Sequence, residues 1–245
     1  MTSKDATIST ISLFSGAGGL DLGFRQAGFD VRVAVESDPS ACATLAANNP
    51  HLNGAIVSRP LEEVSTEELL GLAGLGPEEE LGAVIGGPPC QPFCLAGPRL
   101  GLADPRSQTL FEFCRVVREA RPKVFVMENV PGLLRDPIIP DLLRAELETE
   151  DVSYDFVWDL LQADEFGAAQ RRKRLFFVGW RTNGTFRFPA PTHSPPGGAF
   201  AGSARPALTV GDAFAGLPKP DPPSDFAKRV AETIPARNEK WYGKT

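Results

Sequence analysis

Short apolar runs alternate with segments of helical periodicity along most of this 245-residue chain. The first run, ISTISLFSG from residue 8, breaks at Gly16, and residues 18–29 then carry Leu20, Phe24 and Ala27 at helical spacing. Later runs read VRVAV at 31–35, AIV at 55–57, LGAVIGG at 81–87 and KVFVMENV at 123–130. Apolar strands that alternate with helices predict an α/β fold, with a mostly parallel sheet covered by helices on both faces.

Helical segments separate the predicted strands. One is predicted over 39–48, with Asp38 as its N-cap and Pro39 at its first position. Others are expected after Ser65, over 107–119 and over about 140–147. The runs YDFVWDLLQA at 154–163 and RLFFVGW at 174–180 predict two more strands, paired antiparallel at one edge of the sheet.

The character of the sequence changes after residue 187. PAPTHSPPGG and LPKPDPPSD hold most of the late prolines, and the only periodic piece between and around them is the short TVGDAFAGL at 209–217. We therefore expect a folded domain over 1–187 and an extended, proline-rich tail over 188–245.

Charge is distributed unevenly, although the net charge is -6. Residues 1–169 contain 12 Lys and Arg against 26 Asp and Glu, whereas residues 170–245 contain 13 against 5. The four cysteines show no CxxC spacing and the two histidines have no liganding neighbours, so no metal site is expected. No hydrophobic leader or membrane-length apolar run is present, which favours a cytoplasmic protein with reduced thiols.

Two loops at predicted strand ends carry candidate chemistry. The turn Phe14–Leu20 is glycine-rich, but Asp21 stands where a dinucleotide fingerprint needs its third glycine, which weakens a nicotinamide site. Glu36, at the end of the second strand, is placed to bind the hydroxyls of a ribose, and the acidic turn favours a nucleoside with a cationic sulfonium group. Equally, any glycine turn between a strand and a helix could have this sequence pattern without binding a ligand. In GGPPCQPF, two glycines and three prolines stiffen a loop around Cys90, as expected of a covalent nucleophile.

Two further candidates follow along the chain. Glu128 ends the fifth strand, where it is either simply solvated or the acid that a thiolate attack on a heterocycle requires. Four cations follow Gln170, and strand alternation places Arg172 and Arg174 on one side and Lys173 on the other. Such a pair of arginines can neutralise a phosphate or bind a base carbonyl, although a charge run is also typical of a solvated face.

In this order, FSGAGGLDLGF, VESD, GGPPCQPF, DPRSQTL, MENV and QRRKR resemble the successive motifs of the DNA (cytosine-5) methyltransferases, over about residues 11–179. The resemblance implies a Rossmann-like fold that binds S-adenosylmethionine and duplex DNA, in a restriction-modification system. It assigns catalysis to Cys90, Glu128, Arg172 and Arg174, with Cys90 attacking a flipped cytosine, and makes 1–187 the catalytic domain. It assigns the cofactor to Phe14, Gly16, Gly18, Gly19, Leu20, Glu36, Pro88 and Leu110, and nucleic acid to Gln91, Gln170, Arg171 and Arg172.

The sequence departs from that family pattern in three places. Ser58-Arg59-Pro60 stands where an Asp usually contacts adenine, and Cys94 replaces a usual Ser. The recognition domain and the terminal helix that closes the cofactor pocket have no counterpart after RPALTVGDAFAGLP. We therefore expect an incomplete or split enzyme that works with a complementing subunit. Without the terminal helix, the flank of the sheet beside the first strand should be uncovered. Alternatives are tRNA cytosine methylation, an inactive remnant or regulatory subunit, and, least favoured, a nicotinamide enzyme.

Overall fold

The computed structural model of this chain describes residues 7–52, 55–75, 79–89, 108–181, 184–195 and 204–217. Its main sheet has seven strands in the order β3-β2-β1-β4-β5-β7-β6. Their bounds are β1 Ile8–Leu13, β2 Phe29–Val35, β3 Ile56–Val57, β4 Ala83–Gly86, β5 Val124–Asn129, β6 Asp155–Gln162 and β7 Lys173–Trp180. Strands β1 to β5 are parallel, and β7 runs antiparallel between β5 and β6. The predicted sheet and its antiparallel edge pair are confirmed.

The described residues of this sheet-containing part of the chain also include five α-helices. They are α1 Gly19–Gln26, α2 Pro39–Asn48, α3 Thr66–Leu72, α4 Gln108–Ala120 and α5 Ile139–Leu147. Asp38 caps α2 by accepting a hydrogen bond from the Ala41 N–H, and Ser65 caps α3 in the same way through the Glu68 N–H. Each cap starts its helix at the predicted place.

Helices cover the two faces of the sheet to different extents. On one face α3, α4 and α5 bury a large core that includes Ile11, Phe113 and Phe125. On the other, α1 packs Leu20 and Phe24 against Val31, Ala83 and Ile85. Farther along that second face, Val126 on β5 and Val178 on β7, which stand opposite each other in register, remain half-buried.

The chain divides into the compact units 1–207 and 208–245. The first therefore extends beyond the predicted boundary at 187, because residues after β7 pair within it. β8 (His193–Ser194) and β9 (Arg205–Pro206) form a small parallel pair, and the Thr192 N–H donates to the Glu165 carbonyl, which lies between β6 and β7. In the second unit α6, Val210–Phe214, carries a capping box between Thr209 and Asp212. Within the described residues, no helix is long and apolar enough to cross a membrane.

Candidate active site

The predicted functional segments meet at one edge of the sheet. β1, β4 and β5 end there, and β7 begins there because it runs antiparallel to β5. A cavity of about 640 Å³ opens between their ends. Its wall includes Phe14, Gly19, Leu20, Gly87, Glu128, Arg172 and Arg174, with Ser12, Ser15 and an apolar side made by Leu161, Ala163, Phe166 and Ala168. Parallel sheets bind ligands at this edge.

Glu128 and Arg174 form an ion pair in this cavity, with Arg174 Nε 2.7 Å from Glu128 Oε1. Their side chains are 26% and 23% exposed, so both remain accessible to a ligand. A carboxyl group and a guanidinium held side by side offer an acceptor and donors to neighbouring atoms of one heterocycle edge. The Asn129 amide donates to the Pro88 carbonyl at 3.2 Å, which ties the loop after β4 to the end of β5.

The glycine turn after β1 has an unusual backbone. Phe14 has φ +54° although it is not glycine, and Gly16 and Gly18 have φ +56° and +85°. Left-handed backbone at an aromatic residue is costly and persists where the surroundings fix it, often at ligand sites. A Cβ on Gly18 would stand 2.6 Å from the Leu45 side chain, so the turn packs directly against α2.

Glu36 is fixed by the backbone around it. One carboxylate oxygen accepts the Gly16 N–H at 2.8 Å, and the other accepts the N–H groups of Ser37 and Asp38, also at 2.8 Å. A carboxylate has about four acceptor positions, so capacity for ribose hydroxyls remains. Glu36 lines a second cavity of about 280 Å³, which shares Phe14 and Gly87 with the first.

The two adjoining cavities fit an elongated nucleoside ligand. A ribose at Glu36 would leave the reactive end of the ligand on the side of Gly19, Leu20 and Glu128. Arg59 and Pro60 line the second cavity where the family pattern has an Asp, and Arg59 forms an ion pair with Glu68. The chain thus presents a guanidinium rather than a carboxylate at this position.

Asp21 is buried beside the cavity, which the sequence did not predict. It lies on the first turn of α1 and is fully buried, and its Oδ1 accepts a 2.5 Å hydrogen bond from the Ser12 hydroxyl. The Ser15 hydroxyl donates to Ser12 Oγ at 2.9 Å. Burial raises the pKa of the Asp21 carboxyl, although the nearby hydroxyl groups of Ser12 and Ser15 act in the opposite direction. The signal available in the sequence was an acidic residue directly after the glycine turn.

The remaining predicted residues are placed as follows. Gln170, Arg171 and Arg172 are all exposed at the surface, and Arg171 Nε lies 3.8 Å from Oδ2 of the buried Asp164. Pro88 and Leu110 are buried and line neither of the two cavities, Leu110 being part of the main core. Cys90, Gln91 and Cys94 lie outside the described residues. Among the residues that are described, no three His, Cys, Asp or Glu side chains are grouped as a metal site.

Comparison with known proteins identifies the family pattern independently. The profile of the family "C-5 cytosine-specific DNA methylase" matches residues 8–207. The type II methyltransferase M.AquIA of Picosynechococcus is 44% identical over an alignment of 240 positions, which covers 93% of this chain and 96% of that protein. The type II methyltransferase M.MthTI of Methanothermobacter thermautotrophicus is 33% identical over 94% of this chain and 63% of its own length.

A solved structure and the lengths of other relatives add to this. A crystal structure described as that of a prophage-encoded DNA modification methyltransferase of E. coli superposes with a TM-score of 0.68 and 30% identity, over 87% of this chain and 56% of that one. M.FnuDI of Fusobacterium nucleatum is 37% identical over 74% of this chain and 50% of its own length. The chain therefore spans about half to two thirds of several relatives and nearly all of M.AquIA.

Proposed function

The chain belongs to the C-5 cytosine-specific DNA methylase family, and we propose that it transfers a methyl group from S-adenosylmethionine to carbon 5 of cytosine in duplex DNA. The observation that carries the proposal is the Glu128–Arg174 pair in the same cavity as the glycine turn. The base-binding groups and the cofactor turn thereby share one space, as a direct transfer requires. In the sequence, Cys90 comes three residues after Gly87, which lines this cavity.

The proposed reaction is a conjugate addition followed by elimination. The Cys90 thiolate forms a bond to carbon 6 of a flipped cytosine, while Glu128 binds ring nitrogen 3 and the amino group and Arg174 binds the carbonyl oxygen. The cofactor supplies an electrophilic methyl group on a sulfonium. Carbon 5 of the cytosine would take this methyl group, and the cofactor sulfur would keep the bonding electron pair. Loss of the carbon-5 proton to solvent then breaks the bond between carbon 6 and sulfur and frees the thiolate.

Covalent trapping tests this mechanism. With saturating S-adenosylmethionine and duplex DNA that contains 5-fluorocytosine, carbon 5 still takes the methyl group, but its fluorine cannot then leave as a proton does. The methylated adduct should therefore accumulate as a denaturation-resistant complex of protein and DNA. Cys90→Ser should abolish the complex. Cys42→Ser is the matched control, because Cys42 is buried and a serine hydroxyl can replace its hydrogen bond to the Glu36 carbonyl, so trapping should stay intact. A complex that survives in Cys90→Ser would refute the assignment.

A second polypeptide segment completes the proposed enzyme. In the longer relatives, about a third to a half of their own length lies outside the part matched here. The uncovered flank that was expected beside the first strand is not found there, because α1 packs against β2 and β4 on either side of β1. Apolar side chains instead remain half-buried on one face over β5, β6 and β7, namely Val124, Val126, Val157, Phe176 and Val178. We expect a complementing polypeptide to cover this face and to bring the groups that read bases in the grooves.

Reconstitution in trans tests this part of the proposal. We expect residues 1–245 alone to methylate duplex DNA poorly and with little sequence preference. Addition of the polypeptide encoded immediately downstream should restore site-specific methylation, measured as protection of plasmid DNA from restriction enzymes. Full site-specific activity from the 245 residues alone would contradict the need for a complementing polypeptide, while leaving the transfer chemistry untouched.

A further inference from the structure

Asp21 is a buried carboxyl group with an incomplete set of partners. Its Oδ1 is bound by Ser12, but its Oδ2 is buried and has no hydrogen-bond partner among the described residues. The cation that acts on it is Arg25, one turn later on α1, whose guanidinium is hydrogen-bonded to Asn49 instead. An uncompensated buried carboxylate is costly, and a native protein that retains one usually uses it.

The position of Asp21 relates it to the cofactor rather than to the base. Ser12 and Ser15, which connect to its carboxylate, both line the 640 Å³ cavity, and so do its helix neighbours Gly19 and Leu20. The carboxylate therefore lies one hydroxyl group behind the cavity wall. Since Asp21 is fully buried, little water screens its charge from that cavity, and a charge there acts through a lower effective dielectric than at the surface.

We infer that Asp21, acting through Ser12 and Ser15 at the cavity wall, makes the site prefer the cationic sulfonium cofactor over the neutral thioether product. The inference rests on the proposed function, because it concerns the same cofactor. The methyl transfer removes the positive charge from the cofactor sulfur, so the attraction of the carboxylate for that sulfur ends when the reaction ends. Asp21 is thus a positioning residue whose charge favours binding before transfer and release after it.

The test compares two ligands on the full 245-residue chain. Equilibrium binding of S-adenosylmethionine and of S-adenosylhomocysteine is measured by calorimetry for the wild type and for Asp21→Asn, which keeps the size of the side chain. We expect Asp21→Asn to lower the preference for the sulfonium ligand by about tenfold, the factor that corresponds to about 1.4 kcal/mol of lost charge interaction. Affinity for the neutral thioether should change little.

Two further variants separate charge from shape. Ser15→Ala removes the second hydroxyl group at the cavity wall but leaves the bond between Ser12 and Asp21 in place, so it should shift the preference in the same direction as Ser12→Ala and by less. Ser12→Ala removes the donor that favours the ionised carboxylate and should shift the preference in the same direction as Asp21→Asn, so the test does not depend on one variant folding. Equal loss of both ligands in Asp21→Asn and Ser12→Ala, or no change in either, would overturn the inference. Trapping on 5-fluorocytosine DNA does not depend on this preference, so failure of the two proposals can be told apart.

Discussion

Three glycines in the turn after β1 and in α1 allow a graded test of how this turn packs against α2. Gly18 combines φ +85° with a Cβ position 2.6 Å from Leu45 Cδ1, and Leu45 is fully buried. Gly16 has φ +56° but nothing within 4 Å of its Cβ position, and Gly23 has neither feature. The series Gly18→Ala, Gly16→Ala and Gly23→Ala therefore separates backbone strain from side-chain crowding.

The expected costs follow from these two terms. Left-handed backbone costs an L-residue about 1–2 kcal/mol, and forcing an extra methyl group into a packed site costs about 1–3 kcal/mol more. We expect Gly18→Ala to lower the free energy of unfolding by about 2–5 kcal/mol, the sum of both terms. Gly16→Ala should lose about 1–2 kcal/mol, and Gly23→Ala should be stabilised by up to about 1 kcal/mol because it lies inside a helix.

Urea unfolding followed by circular dichroism measures these differences. The order of stability should be Gly23→Ala, wild type, Gly16→Ala and Gly18→Ala. Equal stability of Gly16→Ala and Gly18→Ala would show that Leu45 moves aside at no cost, and the account of the turn packed against α2 would be wrong.

Three more predictions concern single groups. Glu128→Gln should reduce kcat by about 100-fold or more in a steady-state methylation assay. It should change the free energy of unfolding by less than about 1 kcal/mol, because the partly exposed ion pair with Arg174 contributes little to stability. A large loss of stability would mean that the pair is mainly structural. Tyr154→Phe should lower the free energy of unfolding by about 1–3 kcal/mol, since the buried hydroxyl donates to the Pro122 carbonyl at 2.7 Å and its loss leaves that acceptor unpaired; an unchanged urea midpoint would contradict this. Burial raises the pKa of Cys114 to about 12, so native protein should not be alkylated there at pH 8, as mass spectrometry would show. Because the unfolded thiol ionises near its ordinary pKa of 9.0 and the folded one does not, Cys114 should also make the protein less stable as the pH rises above about 9, an effect that Cys114→Ala should remove.

Helices and strands were predicted well where the signals that set their ends lie within a few residues of those ends. Helix α2 has the predicted bounds because Asp38 and Pro39 fix its start without help from the rest of the fold. The sheet edge was predictable for a similar reason, since each strand is an apolar run ended by a turn. The family resemblance assigned Glu128 and Arg174 to the same cytosine, and the structure brings their side chains into contact because β5 ends and β7 begins at one edge of the sheet.

Features that depend on distant parts of the chain were not predictable in this way. The burial of Asp21 requires the serines of β1 and its turn to lie beneath α1, and periodicity gives no sign of that hydrogen bond. The role of Leu110 remains a prediction, although its side chain lies in the main core because α4 presents it to the sheet. Residues 188–207 resemble an unstructured tail in composition, yet part of this segment pairs with the turn between β6 and β7.

That pairing has a practical consequence for exchanging modules between relatives. Gly167, with φ +89°, lies under the His193 ring, so closely that a Cβ there would stand 2.9 Å from the ring, and Thr192 binds the Glu165 carbonyl. The segment after β7 therefore holds the turn that leads into the cationic run at Gln170–Arg174. A chimera joined directly after Trp180 would keep every strand of the sheet but would release that turn, whereas a junction after Ala207 preserves it. The junction at which to attach the recognition module of a relative therefore lies about 27 residues after the end of β7.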